Sequence, residues 1–244
     1  MSGDNRHYRF ALVGFNTELV PGEDFIPFVR VTEVIQETLA KPALVRWAYQ
    51  KTVQGVEILQ DHALLDPDED TDELLRMSRI RPEDLKEERA DEGTEAHAYL
   101  NLLLEKHQPV DAGNPTEAAI LKWWKTSGVI PVASEVLLYS LKERYAGRSD
   151  SINSRLDWPG KGVTDLKTRK PLEDRQKSSV YSSDKAQIGA YRVAWNEMHP
   201  DDKLTWGSVL IARFDGTIEE EIVGPEWDRV WLNLRDIYRV LKGE

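Results

Sequence analysis

At Gly128 the apolar period of this chain changes, and that change restricts the fold more than any other feature. Before it, "PEDLKEERADEGTEAHAYLNLLLEKH" and "NPTEAAILKWWKTSG" repeat hydrophobic residues at helical spacing. Asn114 supplies an N-cap, Pro115 a first-turn residue and Gly128 a stop. After it, "VASEVLLYS", "RYAGRSDSIN" and "GVTDLKT" read as three strands joined by short turns, the last of them "WPGKG". A helix over "SSDKAQIGAYRVAWNEMH" follows, then a hairpin around Asp215–Gly216 and a closing amphipathic helix, "PEWDRVWLNLRDIYRVLKG". Helices, three central strands, helix, hairpin and helix in that order predict an α/β or α+β layer fold.

Upstream, "YRFALVGF" and "FIPFVRVTEVI" read as short strands or extended segments. Helical spacing then runs from Thr32 to Leu59 and is broken at Pro42, which predicts two consecutive helices. Asp61 to Asp72, "DHALLDPDEDTD", reads as an acidic loop or linker. It lacks the glycine that a calcium-binding loop needs at its turn. The 244 residues are thus expected to form a single domain, with 1–80 as an N-terminal helical elaboration and 81–244 as the core.

Cysteine is absent, which excludes disulfides, thiol nucleophiles and thiolate-bound metals. Five scattered histidines include no HExxH pair, and "PGKGVT" lacks the spacing of a phosphate loop. No apolar run approaches the roughly 18 residues of a membrane helix. The opening "MSGDNRHYRF" has no signal-peptide apolar region, so no membrane partner and a cytoplasmic location are expected. The net charge of −11 argues against a protein that coats DNA generally. From Lys142 to Arg192, however, twelve lysines and arginines face seven acids. A basic segment in an acidic body fits a local anionic ligand.

That segment contains "GVTDLKTRK". In a strand, Asp165 and Lys167 project to the same side while Leu166 turns to the core. Asp150 ends the pattern "YAGRSD" on the preceding strand, and Glu135 opens the strand before that. His97 lies on a helix in "GTEAHAYL", and Gln187 and Tyr191 in "QIGAY" share a helical face. This set suits metal-assisted phosphodiester hydrolysis. Asp150 and Asp165 offer hard oxygens to Mg²⁺ or Mn²⁺, with the Leu166 carbonyl as a further ligand. The metal polarises the phosphoryl group and acidifies an attacking water. Lys167 beside it orients that water, stabilises developing charge or takes the proton. Each residue also has an ordinary reading: a core histidine, a turn aspartate, a solvated ion pair, a helix face.

The run "GTEAH … SE … YAGRSD … TDLKT … QIGAY" resembles the PD-(D/E)xK nuclease superfamily, in the branch similar to the nuclease domain of RecB. The match spans about His97 to Tyr191. "RVTEVI … LVRWA" further resembles the N-terminal helical segment of stand-alone phage and CRISPR-associated exonucleases. The resemblance implies a restriction-endonuclease-like core, a central mixed β-sheet flanked by helices. It implies that His97, Asp150 and Asp165 are metal ligands, Glu135 a supporting acid and Lys167 the catalytic lysine. Gln187 and Tyr191 would touch DNA or line the active-site wall. Close CRISPR-associated relatives carry four cysteines for an iron–sulfur cluster; this chain has none, so no such cluster is expected.

The expected function is a Mg²⁺- or Mn²⁺-dependent deoxyribonuclease, an exonuclease on DNA ends or single strands in recombination, repair or phage DNA metabolism. A recombination or helicase partner would fit that role. Arg169, Lys170, Arg175, Lys177, Lys185 and Arg192 would track the phosphate backbone. Two other functions use the same residues. One is a nuclease-fold scaffold that binds DNA ends or a helicase without cutting. The other is a restriction-type endonuclease.

Overall fold

The computed structural model describes residues 8–11, 25–39, 42–62, 70–78, 81–172 and 180–244. Two compact units divide the chain: Met1–Leu39 with Ala96–Glu244, and Ala40–Glu95. Residues 25–39, grouped by sequence with the N-terminal elaboration, therefore belong with the core. The physical reason is a long-range strand pairing, described below.

The smaller unit holds α2 (Pro42–Asp61), α3 (Thr71–Met77) and the first part of α4 (Pro82–Lys106). Its predicted helix break at Pro42 is present, with α1 (Val31–Thr38) ending before it. Helix α3 was not legible in the acidic run that precedes it. Asp70 there acts as an N-cap, accepting from the backbone N–H groups of Asp72 and Glu73 at 2.9 and 3.3 Å. Gly55 lets α2 approach α3 closely, since a Cβ there would lie 3.0 Å from Ser78 Oγ and 3.2 Å from Leu75.

In the larger unit, α5 (Pro115–Thr126) is followed by β3 (Val129–Ser140), β4 (Tyr145–Arg155) and β5 (Lys161–Arg169). Then come α6 (Ser182–Met198), β6 (Leu204–Arg213), β7 (Ile218–Ile222) and α7 (Glu226–Lys242). The strand sequence across the sheet is β1 (Tyr8–Ala11), β2 (Phe25–Arg30), β4, β5, β6, β7, with β3 also paired to β4. The sheet is mixed. β2/β4 and β5/β6 are parallel, and the other pairs are antiparallel. The fold is thus the expected α/β layer arrangement with a central mixed sheet flanked by helices.

Strand β4 has three neighbours but only two edges. β3 runs along nearly its whole length, from Tyr145 to Arg155. β2 and β5 must therefore share the other edge: β2 bonds Tyr145 and Ala146, and β5 bonds Ser151 to Ser154. Between them, among the described residues, no strand is laddered to Gly147 to Asp150 on that side. This gap is where the candidate site opens.

Two apolar layers sandwich the sheet. Val209 and Ile211 of β6 meet Ile188, Ala190 and Trp231 of α6 and α7. Alternating with them, Leu210 and Ala212 meet Leu100, Leu103, Ile120 and Trp123 of α4 and α5. Strand β5 divides the same way, Val163 lying in the first layer and Leu166 in the second. By that alternation Asp165 and Lys167 face α6.

Candidate active site

The register of β4 on β5 pairs Ser151 with Thr164, and one further step would set Asp150 opposite Asp165. The ladder stops short of that step, and the strands part. The Asp150 carboxylate bridges the opening, its Oδ2 accepting the backbone N–H of Leu166 at 2.6 Å. Its other oxygen, Oδ1, lies 2.9 Å from His97 Nδ1. Helix α4, packed on the opposite layer from α6, thus reaches Asp150 through His97. Gly147 keeps the approach to α6 tight, since a Cβ there would stand 2.8 Å from the Tyr191 ring and 3.0 Å from Val31.

On β5, Lys167 Nζ lies 2.5 Å from Asp165 Oδ2. Asp165 is only 2% exposed, because α6 covers it. The sequence presented this pair as projecting from a strand, and burial between sheet and helix makes it something other than a solvated ion pair. Gln187 on α6 donates from Nε2 to Asp165 Oδ1 at 3.3 Å and to Tyr191 Oη at 2.6 Å. One amide therefore ties the acid to a buried tyrosine. Tyr191 itself is 2% exposed, which makes it part of the wall and not a surface for DNA.

Burial pushes the Asp165 carboxyl up, to about 6; Lys167 and His97 oppose the shift and Asp150 adds to it. Burial pulls Lys167 down, but the charges of Asp165 and Asp150 outweigh it and the ammonium is held above its ordinary value. His97 follows the same logic. Burial lowers it, while the hydrogen bond and charge of Asp150 and the charge of Asp165 raise it further, so the net shift is upward. Lys167 is consequently a cation here, suited to stabilising negative charge.

Glu135 takes a left-handed backbone conformation, φ 51°, in the middle of β3. A non-glycine residue there costs on the order of 1–3 kcal/mol and favours functional positions. The register, Ser134 to Ser151 and Val136 to Ser149, leaves Glu135 facing Asp150. Its carboxylate is exposed and pairs with Arg148 at 3.1 Å.

The basic tract divides. Arg192 does not track a phosphate backbone: it is buried, donates to Asp228 at 2.7 Å and to the carbonyls of Val223 and Gly224, and ties α6 to the start of α7. Lys185 pairs with Glu221. Arg169 donates from Nη2 to both oxygens of Asp184 at 3.1 Å. Lys170 is exposed. Arg175 and Lys177 lie outside the described residues. Asp184 was not singled out in the sequence, although an acid in the first turn of a predicted helix was the signal available.

His97, Asp150, Asp165 and the Leu166 carbonyl together present one imidazole and hard oxygens, a donor set that fits a small divalent ion. Asp165 Oδ2 is buried and forms no hydrogen bond that would satisfy it beyond the ion pair with Lys167. Among the described residues no three His, Asp or Glu side chains stand in ready ligand geometry. Both oxygens of Asp150 are engaged by His97 and Leu166, so an ion would replace these contacts.

No family profile matches this chain, and no curated protein does. Among solved structures it resembles one described as the crystal structure of SSO0001, at 14% identity, over 60% of this chain and 85% of that one, with a TM-score of 0.32. So loose a likeness carries no argument about the site. No helix among the described residues is long and apolar enough to cross a membrane.

Proposed function

We propose that this protein is a divalent-metal-dependent DNA nuclease, an exonuclease acting on DNA ends or single strands. One observation carries the reading: at a gap in the sheet the His97–Asp150 pair and the Asp165–Lys167 pair, drawn from three different elements, are joined by the Leu166 N–H that Asp150 accepts. Ordinary surface ion pairs have no need of a broken ladder and a buried acid beside a half-buried ammonium.

Asp150, Asp165, His97 and the Leu166 carbonyl would hold Mg²⁺ or Mn²⁺, which when bound polarises a phosphoryl oxygen and acidifies water. In the metal-free protein Asp150 spans the parted strands and holds the Leu166 N–H, a contact that it would exchange for the ion. Lys167 holds its proton beside Asp165 and stabilises the negative charge that builds on a phosphodiester under attack. Gln187 fixes the Asp165 carboxylate by pinning Oδ1 and being pinned in turn by Tyr191. Glu135 stands ready on the far strand as a supporting acid.

The test is digestion of end-labelled linear and covalently closed circular DNA with Mg²⁺, Mn²⁺ or EDTA, beside Lys167→Ala. Metal-dependent loss of linear DNA, with circles spared and Lys167→Ala inactive, is the expected result. Cutting of circles would make the enzyme an endonuclease. Binding of ends with no cutting of either form would replace catalysis with a scaffold role.

A further inference from the structure

The residues around the end of β5 carry the substrate question further. Asp165, Lys167 and Arg169 alternate along the strand, so each is set about 6.6 Å from the next on the same side. That step is comparable with the spacing of successive phosphates in an extended single strand. Beyond Lys167, the Arg169 guanidinium lies over the Tyr181 ring, its carbon 5.1 Å from the ring centroid. Tyr181 is 49% exposed.

Both residues are placed by one buried carboxylate. Asp184, with its side chain only 5% exposed, accepts the Arg169 guanidinium on both oxygens at 3.1 Å. It also accepts the backbone N–H of Tyr181 at 2.9 Å. A buried acid that directs its bonds to one cation and to the backbone of one exposed aromatic residue holds the two as a rigid pair. Half-exposed tyrosines are common and need no explanation. A tyrosine locked against a guanidinium, in line with Lys167, is a different matter.

We infer that Tyr181 and Arg169 form a stacking platform for the unpaired base of a single-stranded DNA whose neighbouring phosphate sits at Lys167. The inference rests on the nuclease reading and names its substrate as single-stranded DNA. An aromatic ring backed by arginine stacks any base and is blind to sequence. A duplex hides the base faces that such a platform needs. Asp184 acts through both partners as a positioning residue.

The experiment measures binding of three fluorescent probes with Ca²⁺ in place of Mg²⁺: an oligothymidine, an abasic strand of equal length and a blunt duplex. The proteins are the unmodified chain, Tyr181→Ala and Tyr181→Trp. Stacking of one base predicts a loss of roughly 5- to 150-fold for Tyr181→Ala on oligothymidine. Tyr181→Trp should retain affinity, and the abasic strand should bind all three proteins equally. If Tyr181→Ala holds oligothymidine as tightly as the unmodified chain, the platform is wrong while the nuclease reading stands. Tighter binding of the blunt duplex than of oligothymidine overturns the substrate assignment. Failure of the unmodified protein to bind or cut any DNA sinks both readings.

Discussion

Asp150 Oδ2 accepts the backbone N–H of Leu166 at 2.6 Å, across strands whose ladder has already ended. A carboxylate thus substitutes for the next rung of the sheet. The same group touches His97 through its second oxygen, so one side chain closes the backbone of β5 and anchors the tip of a helical contact. Asp150→Asn keeps the shape and one acceptor for the Leu166 N–H, but removes the negative charge and turns an NH₂ donor toward His97. Loss of Mn²⁺ binding, read by calorimetry, should accompany a fall in cleavage of at least about 10²-fold. Retained Mn²⁺ affinity would remove Asp150 from the ligand set.

Lys167→Gln should lower the cleavage rate by about 10²- to 10³-fold, the usual effect of removing one group that stabilises transition-state charge. Because Lys167 is placed on the phosphate and not on the metal, Mn²⁺ affinity should survive. A loss confined to KM, with kcat unchanged, would make it a binding residue only.

In the metal-free protein, Asp165 and His97 should together add stability as the pH falls from about 8 toward about 4. An acid whose pKa is higher in the fold than in the unfolded chain stabilises the fold when protonated. For Asp165 that contribution is complete below its ordinary value near 4 and is gone once the pH passes about 6. His97, raised by Asp150 against its burial, acts in the same sense and loses its contribution as the pH rises through its folded value. Thermal unfolding in EDTA across this range checks the direction. The rise should shrink in an Asp165→Asn, His97→Gln variant, and an unchanged slope there would assign it to the remaining acidic surface.

Gly162→Ala should destabilise the fold by about 1–3 kcal/mol, the range for overpacking. A Cβ at Gly162 would stand 2.0 Å from the Trp206 indole. That ring is already hemmed in by Trp158, 4.9 Å away between centroids, and by the Arg155 guanidinium, 5.1 Å from its own. Urea unfolding measures the cost. An unmoved midpoint would mean that Trp206 has somewhere to go.

Arg192→Ala should destabilise the fold, acting through its buried bonds and not through a contact to DNA. Removing a buried cation leaves Asp228 and two carbonyls without their donor, a loss of about 3–5 kcal/mol. Lys170→Ala should lower DNA affinity and its salt slope, with a smaller effect on stability. Equal stability of the two variants would contradict the division of the basic tract.

What the sequence made legible was local. Asn114 accepts from the Glu117 N–H at 2.9 Å as its position predicts, and Gly128 and Gly216 take the left-handed conformations that a helix stop and a hairpin require. Asp165 and Lys167 meet because a strand has a period of two. The pairing of β2 with β4 joins residues more than a hundred positions apart, and no local pattern encodes it. Arg192 lies 31 and 32 positions from the carbonyls that claim it, still beyond any local pattern, so its charge read as surface. Glu135's left-handed backbone falls within a strand laddered to β4, in a residue type with no preference for that region.

The sheet's wiring also orders events in time. Both aspartates and Lys167 are synthesised before any residue of α6 or β6. Until residues 182–213 follow, Asp165 has no Gln187 to pin it and no helix to exclude water from it. A truncated or stalled chain would carry every acid of the site and none of its setting. Synthesis itself therefore withholds the finished centre until most of the chain has been made.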